Sequence, residues 1–330
     1  MNLTVIKTDN TDPYENLAAE EYLTFHAGED EVVLFLWQNA HTVVIGRNQN
    51  PWKECNVERI KQDGVYLARR MSGGGAVYHD MGNLNFTFAA RDGLYDIQKQ
   101  TDIILHACRL LGINAEKTGR NDLTVQEKKF SGHAYFSSNG FNYHHGTIMI
   151  DVVPEDMPKY LRVSESKLKS KGVDSVRSRV TNLRPYLGDG AGSRDTAELI
   201  RDVQAAMIRA AEKTYGCAAC EKSLPEIPAD LTEKYASEEW RLGTRIPFEK
   251  DIEHRFDWGG LEIQLEMRGE YIADVKIYSD ALETEVFAVL EDLLRGCRYD
   301  AVEILGLRIP HGVSATAYEI LELIASSIDE

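Results

Sequence analysis

The chain has 330 residues, 43% hydrophobic and 27% charged, which is the composition of a soluble globular protein with room for one large domain and a smaller one. Its 53 acidic and 37 basic residues give a net charge of −16, which argues against general nucleic-acid binding because that favours a basic surface. Five cysteines, no basic-then-apolar amino-terminal stretch and no run of about 18 apolar residues predict a cytoplasmic protein with reduced thiols, no signal peptide and no membrane span.

The first 150 residues predict an irregular mixture of helices and strands. Asp12 followed by Pro13 is a helix start, and apolar residues at helical spacing continue to residue 25. Two apolar, β-branched runs at 31–37 and 42–45 predict a buried hairpin. Further along we predict strands at 65–70 and 84–90, a helix at 98–111 that ends at Gly112, and a strand pair at 129–136 and 143–150 with its turn at 137–140.

The second half of the chain predicts two separate units. Residues 164–184 have no hydrophobic period and hold six basic side chains against two acidic ones, which predicts a long loop. A long amphipathic helix follows at 195–215. The polar segment 222–250 contains three prolines and predicts the connection between a domain of residues 1–245 and one of residues 246–330. For the second domain we predict strands at 252–257, 261–267 and 271–278 and helices at 282–295 and 315–328. Because regular βαβ alternation is missing, the predicted fold class is α+β.

A glycine triplet stands in the segment of residues 69–80. Successive glycines let the backbone approach a ligand closely, and their N–H groups can hold an anion. Arg70, at the end of a predicted strand, offers a planar fork for phosphate or carboxylate. The alternative is a tight turn with solvent-facing arginines. The segment is not a P-loop, and no G-x-G-x-x-G opens a helix after a strand, so a nucleotide bound here is bound in another way.

A lysine inside an apolar strand marks a second segment. Lys129 precedes Ser131-Gly132, and burying its charge is costly unless a partner is present. Such a lysine suits a carboxylate or phosphate ligand as a point charge. Asp122 is a candidate partner, or an oxygen ligand for Mg²⁺. The alternative is an exposed strand edge protected by charge.

Two histidines and two cysteines give weaker signals. His144 and His145 are adjacent in a predicted strand, so their side chains point to opposite faces and cannot share one zinc ion. One of them lines a pocket, or else one is in the core and one on the surface. The motif from Cys217 to Cys220 lacks two further ligands at a matching spacing, so we interpret it as a chance pattern.

Taken together, these segments resemble the lipoate–protein ligase A family. The resemblance rests on the glycine loop at 70–80, the segment 119–123 with the lysine strand at 129–134, His144-His145-Gly146-Thr147, and the segment 171–182, which is similar to the family's adenylate-binding loop. Order and spacing agree over residues 1 to about 245, and the tail is similar to the small carboxyl-terminal domain of the long family members. The resemblance implies the α+β fold shared with biotin protein ligases, built on a large mixed sheet.

The resemblance also implies roles for individual residues. The positions that match the family's ATP contacts are Arg70 and the backbone of Gly75, Ala76, Val77 and Tyr78. Lys129 matches the single lysine that touches both lipoate and the nucleotide. Mg²⁺ would screen the triphosphate, and Asp122 is the candidate oxygen ligand that the residues themselves offer. Trp37 is a candidate wall for the dithiolane, its alternative being a core residue. Residues 164–184 are expected to be mobile without ligand and to order over the adenylate.

The implied activity is a two-step ligation. ATP activates lipoate to lipoyl-AMP, and the lipoyl group then passes to a lysine of an acceptor domain, in 2-oxo acid dehydrogenase complexes or in the glycine cleavage H protein. No enzyme nucleophile is needed, in agreement with the absence of Ser-His-Asp and Cys-His signatures. Three alternatives stay open: an octanoyltransferase dependent on acyl carrier protein, a lipoyltransferase supplied with finished adenylate, and a non-catalytic adenylate-binding module.

Overall fold

The computed structural model describes residues 1–119, 121–162, 180–188 and 190–328. The chain forms two compact units. The first comprises Met1–Val44, Trp52–Arg69 and Ala76–Arg241, and the second comprises Ile45–Pro51, Arg70–Gly75 and Leu242–Glu330. Both combine helices with β-sheet, so the predicted α+β class is confirmed.

A mixed sheet is the centre of the first unit. The strands of this unit are β1 (Asn2–Lys7), β2 (Glu31–Trp37), β3 (Thr42–Ile45), β4 (Tyr66–Arg69), β5 (Val77–His79), β6 (Asn83–Arg91), β7 (Ala115–Thr118), β8 (Asp122–Val125), β9 (Lys128–Ser138), β10 (Phe141–Met149) and β11 (Ala219–Lys222). Within the described ranges, eight of them follow the order β11-β1-β2-β6-β10-β9-β8-β7. β1 is parallel to β2 and β11, and the other neighbours are antiparallel. The remaining three form a small sheet in the order β4-β3-β5.

The predicted hairpin of residues 31–37 and 42–45 is wrong. β2 pairs with β1 and β6, whereas β3 lies in the small sheet. Asn39 lies between the two strands and is fully buried. Its side chain contacts Asn16 Nδ2 at 3.1 Å and His79 Nδ1 at 3.2 Å, which holds the connection where the chain leaves one sheet for the other. Apolar runs buried on both faces do not specify a pairing partner, so the sequence pattern left this choice open.

The helices of the first unit cover both faces of the large sheet. They are α1 (Pro13–Phe25), α2 (Pro51–Glu54), α3 (Val57–Gln62), α4 (Ile97–Leu110), α5 (Met157–Tyr160), α6 (Thr196–Tyr215), α7 (Ala229–Ala236) and α8 (Glu238–Leu242), with 3₁₀ turns at Arg184–Tyr186 and Ala191–Ser193. α4 and α6 pack on one face, where Leu34, Phe86 and Phe88 enter the main core. α1 contacts β2, β6 and β10. Because side chains alternate along a strand, these contacts use the residues between the core ones.

The second unit has its own sheet and core. It contains the antiparallel strands β12 (Lys250–Phe256), β13 (Gly259–Arg268) and β14 (Tyr271–Ser279) and the helices α9 (Glu285–Leu294), α10 (Ala301–Leu305) and α11 (Thr316–Ser326). Its core is built around Ile263, Phe287 and Ile320. The segment 45–51 joins this unit through the Ser279 N–H, which donates to the Asn48 carbonyl at 2.8 Å. Among the described residues, no helix is both long and apolar enough to span a bilayer.

Candidate functional site

Arg70 is folded into the glycine loop, within the second unit. Its guanidinium donates to Ser72 Oγ at 3.0 Å and to the carbonyls of Gly73 at 2.6 Å and Gly75 at 2.9 Å. Only 5% of Arg70 is exposed, and Arg69 is equally buried, so the alternative of solvent-facing arginines is wrong. The Arg70 side chain therefore stabilises the conformation of the glycine loop, and its positive charge lies in contact with the loop backbone.

The three glycines of the loop are required for different reasons. A Cβ on Gly73 would lie 2.2 Å from the Ala281 carbonyl oxygen, and Gly74 has a φ of +88°. Packing and backbone conformation thus account for these two. Among the described residues, nothing lies within 4 Å of a Cβ built on Gly75, and its φ is not in the left-handed region. The described part of the chain therefore does not require glycine at 75, whereas a ligand that approaches the backbone there would.

The chain passes from the glycine loop into β5, in the first unit. Ala76 and Val77 are partly exposed, and Tyr78 is buried. β5 pairs with β3 from Val77 to His79, which fixes the direction of the backbone after the loop. The Tyr78 ring stacks on Tyr160 at 5.8 Å, and burial raises the pKa of its hydroxyl.

Lys129 and Asp122 lie side by side on β9 and β8, near one edge of the large sheet. Lys129 Nζ lies 2.7 Å from Asp122 Oδ1, and both side chains are about one-third exposed, at 37% and 35%. The lysine runs over Gly132, where a Cβ would be 2.9 Å from Nζ. The predicted partnership of the two residues is therefore observed, while neighbouring Lys128 is exposed. Asp122 Oδ1 is itself buried, but the lysine side chain is partly exposed, so the ammonium group is suited to exchange one anionic partner for another.

A row of side chains leads across the sheet from Trp37 to this lysine. Asn85 pairs in register with Trp37 on one side and Thr147 on the other, and Thr147 Oγ1 accepts a hydrogen bond from the Gly132 N–H at 3.3 Å. The row crosses three strand spacings, roughly 14 Å. It lies on the α1 side of the sheet, because the intervening residues Phe86 and Ile148 belong to the core under α4 and α6.

Polar side chains line this face of the sheet at full burial. Glu20 of α1 is 1% exposed, and its Oε1 accepts from Thr87 Oγ1 at 2.6 Å and contacts His145 Nδ1 at 2.8 Å. Thr87 Oγ1 in turn accepts from Trp37 Nε1 at 3.1 Å. Trp37 is 3% exposed and stacks on Phe35. These hydrogen bonds fix the orientation of the Trp37 indole, which forms one end of the row.

Two asparagines of β6 complete the lining, and the sequence interpretation did not include them. Asn83 Nδ2 donates to Asn85 Oδ1 at 2.9 Å. Asn83 Oδ1 and Asn85 Nδ2 are buried and have no hydrogen-bond partner among the described residues. Buried amides normally find partners, so this acceptor and this donor are available to a ligand or to an ordered water. The available signal was the polar alternation of Asn83, Asn85 and Thr87 in a strand whose other face is fully apolar.

The histidine pair behaves as the strand geometry requires. His144 faces α4, with Nδ1 3.2 Å from Gln100 Oε1, and His145 faces Glu20 on α1. Both are buried, at 0% and 7% exposure, so the alternative of one surface histidine is wrong. Among the described residues no cluster of three or more His, Cys, Asp or Glu side chains could hold a metal ion.

The cysteines do not supply a reactive thiolate in the first unit's core. Burial raises the pKa of Cys55 and of Cys108 to about 12 in each case. Cys217 and Cys220, the C-x-x-C pair, are free. A nucleophilic cysteine needs a lowered pKa and access to solvent, so the two buried thiols do not fit that role.

Part of the predicted site lies outside the described residues. This applies to Arg120 and to residues 171–179 of the segment similar to an adenylate-binding loop, and with them to most of the loop predicted at 164–184. The chain is described again from Val180, which bridges to Lys129 in parallel, and the Thr181 N–H donates to the Lys129 carbonyl at 2.8 Å. The end of that segment is therefore fixed beside the lysine.

Comparison with known proteins identifies the family. Residues 12–208 match the family described as the lipoyl protein ligase A/B catalytic domain, and residues 246–307 match the bacterial lipoate protein ligase C-terminus. The lipoate-protein ligase A of Psychrobacter cryohalolentis is 38% identical over 311 residues, covering 92% of this chain and 91% of the relative. The chain therefore belongs to the lipoate–protein ligase A family and is a ligase.

Solved structures agree with this assignment. P. falciparum LipL1 in complex with lipoate superposes with a TM-score of 0.81 at 26% identity, covering 99% of both chains. A lipoate-protein ligase A bound with ATP has a TM-score of 0.62 at 25% identity, over 74% of this chain and 99% of that one. The bi-partite ligase of Thermoplasma acidophilum, from a study that includes its E2 lipoyl domain, has a TM-score of 0.64 at 26% identity, over 75% of this chain and 99% of its own.

Proposed function

We propose that this protein uses ATP to convert lipoate to lipoyl-AMP and then transfers the lipoyl group to a lysine of an acceptor lipoyl domain. The observation that carries the proposal is the row from Trp37 to Lys129, which has an aromatic wall at one end and an accessible ammonium group at the other. An acyl chain with a carboxylate head fits this polarity. The lipoate and ATP complexes of similar ligases support the two substrates.

Chemistry at the carboxylate end needs charge stabilisation more than a nucleophile. A lipoate oxygen attacks the α-phosphorus of ATP, pyrophosphate leaves, and the mixed anhydride forms. The acceptor amine then attacks the carbonyl carbon, AMP leaves, and an amide results. Lys129 would lie against the carbonyl and α-phosphate oxygens, where negative charge increases in both steps. Its present partner Asp122 is about one-third exposed and can be replaced by these oxygens.

For the nucleotide, we propose contacts with Arg70 and with the backbone of Gly75, Ala76, Val77 and Tyr78. Two observations support this assignment: the described residues leave space around Gly75, and the Arg70 guanidinium is buried against the loop. Both favour an anion at the backbone N–H groups. Mg²⁺ commonly binds through one or two carboxylates together with substrate phosphates. Asp122 would supply such an oxygen, and the ion would screen the triphosphate charge.

The acceptor proteins, the roles of the two domains and the cellular compartment are also proposals. We propose lipoyl domains of 2-oxo acid dehydrogenase complexes and the glycine cleavage H protein as acceptors; the E2 lipoyl domain studied with the Thermoplasma ligase supports the first class. We propose residues 1–245 as the catalytic domain and 246–330 as an accessory domain, with the two family matches and the two separate cores as support. The proposed compartment is the cytoplasm, where free thiols such as these five are stable.

Mass spectrometry of an acceptor domain tests the activity directly. The domain is incubated with enzyme, lipoate and Mg²⁺, with and without ATP, and a version with its acceptor lysine changed to arginine serves as control. We expect a lipoyl adduct only with ATP and only on the intact lysine. An adduct that requires octanoyl-acyl carrier protein instead supports the octanoyltransferase, and an adduct formed only from added lipoyl-AMP supports the transferase. No adduct under any condition supports the binding module.

A further inference from the structure

A chain of four buried polar side chains runs behind Lys129, on the face of the sheet that α4 covers. Ser131 Oγ lies 3.0 Å from His133 Nε2, His133 Nδ1 lies 3.0 Å from His144 Nε2, and His144 Nδ1 lies 3.2 Å from Gln100 Oε1. All four residues are at most 3% exposed. Nothing in the ligation chemistry uses them, although buried polar groups are costly in a core.

The protons of this chain have a fixed order. Burial, followed by the charges of Lys129 and Lys117, lowers the pKa of His133 to about 3, and burial lowers the pKa of His144 as well. Both imidazoles are therefore neutral at pH 7, and each has one donor and one acceptor nitrogen. Because Gln100 Oε1 accepts from His144, His144 accepts from His133, and His133 Nε2 accepts from the Ser131 hydroxyl.

His133 also joins the two strands that carry the charged pair. Its backbone N–H donates to the Asn121 carbonyl at 2.8 Å, and Asn121 Nδ2 donates back to the His133 carbonyl at 2.8 Å. Asn121 directly precedes Asp122. The hydrogen bond between the Ser131 and His133 side chains joins the two residues that flank Gly132. The Lys129 side chain packs against this glycine.

The strand needs such support at this point because its register is irregular. Opposite β8, Leu123 faces Ser131 and Thr124 faces Lys129, so Phe130 is an extra residue in β9. A bulge interrupts the ladder of backbone hydrogen bonds and redirects the side chain beside it. Here it turns Lys129 to the same side as Gly132, away from the core that holds Phe130.

We propose that the chain Ser131–His133–His144–Gln100 positions Lys129 for adenylate formation, with His133 as the central positioning residue. The proposal rests on the proposed function for its kinetic consequences. The hydrogen bond from Ser131 to His133 fixes the position of Ser131. The adjacent bulge then keeps one geometry, and the Lys129 ammonium group stays in one position. A displacement of about 1 Å at a reacting centre can reduce the rate by ~10²-fold.

Steady-state kinetics of pyrophosphate release test the proposal in the full-length protein. His133→Leu should lower kcat on the order of tenfold and leave KM for lipoate nearly unchanged, since the substrate row is intact and only the lysine is displaced. His133→Gln, whose amide supplies one acceptor and one donor, should recover most of kcat. Ser131→Ala removes the near end with a minimal change in volume and should resemble His133→Leu. The matched control Ile148→Ala opens a cavity in the core on the same face of the sheet and should lower the melting temperature without lowering kcat.

A spectroscopic signal separates this proposal from the proposed function. With [ε-¹³C]lysine, the Lys129 resonance is assigned by its loss in Lys129→Arg. His133→Leu should shift it toward its position in Asp122→Asn, while Ile148→Ala leaves it in place. An unmoved resonance, or a kcat for His133→Leu equal to that of Ile148→Ala, would overturn the positioning role. A wild-type protein that releases no pyrophosphate from ATP with lipoate would overturn the proposed function only, and the resonance would still decide the positioning role.

Discussion

Individual residues of the proposed site differ in how far the protein itself requires them. Gly73 is required by packing, and Gly74 by its positive φ. Gly75 and Lys129 are not needed for either purpose by the described part of the chain. No described residue would contact a Cβ on Gly75, and the Lys129 side chain is more than a third exposed. Residues that the fold does not need are the ones at which substitution should change activity and leave stability intact.

Lys129 is the first of these. Lys129→Ala should fold normally, because a partly exposed ion pair contributes at most about 1 kcal/mol. Adenylate formation should fall by ~10²–10³-fold, the usual effect of removing one preorganised charge. Lys129→Arg should also fail, since a broad guanidinium does not replace a compact ammonium over Gly132. Pyrophosphate release is measured, with exposed Lys128→Ala as the control. A crippled Lys128 variant beside an active Lys129 variant would show that the assigned role is wrong.

The glycine loop offers a matched pair of substitutions. Gly75→Ala should keep its unfolding free energy and raise KM for ATP about tenfold, the effect of losing roughly one hydrogen bond. Gly73→Ala should destabilise the second unit by about 3 kcal/mol or more, because its Cβ would enter the Ala281 carbonyl. Urea unfolding and ATP titration measure the two effects. If Gly75→Ala binds ATP like the wild type, backbone contact at that residue is excluded.

At the scale of elements, local signals were reliable and pairings were not. The predicted turn between β9 and β10 is present, with Asn139 and Gly140 both at positive φ, as a two-residue hairpin turn requires. The Asp12 cap is also confirmed. The predicted hairpin of β2 with β3 is wrong, because an apolar run signals burial but carries no information about its neighbour. Strands β1 and β11 were not predicted at all, and β11 is a short, mostly exposed strand without an apolar pattern.

The caps of two helices provide an element-scale prediction. Asp12 Oδ1 accepts from the N–H groups of Tyr14 at 2.8 Å and Glu15 at 3.3 Å, whereas Asp195 at the start of α6 makes no side-chain cap bond. Asp12→Ala should therefore lower the unfolding free energy by about 1 kcal/mol. Asp195→Ala changes the same charge at a helix start and should cost clearly less. Equal losses in urea unfolding would mean that the charge, and not the cap bond, stabilises both helices.

For the whole molecule, the neutral buried histidines make stability depend on pH. Their folded-state pKa values lie below the ordinary 6.5, so protonation favours the unfolded chain. The penalty is absent above about pH 6.5 and grows as the pH falls toward the folded-state value of about 3 for His133.

Between pH 7 and pH 5 we therefore expect a loss of about 2 kcal/mol from His133 and a further loss of the same sign from His144. Urea unfolding at the two pH values measures it. In His133→Leu the loss should be smaller by about the same amount, 2 kcal/mol, while His41→Gln, at an exposed position, should keep the wild-type dependence. An unchanged dependence in His133→Leu would show that this histidine is not the origin.

The sequence by itself determined the fold class, most local elements, the glycine loop and the Lys129–Asp122 partnership, because these depend on hydrophobic period, turn chemistry and the need to pair a charge. Only the tertiary structure decided which strands are neighbours, and hence that Trp37, Asn85, Thr147 and Gly132 form one row. It also decided that His133 and His144 meet behind the lysine. Residues far apart in sequence become adjacent through strand order and a single bulge, and neither is encoded in the local pattern.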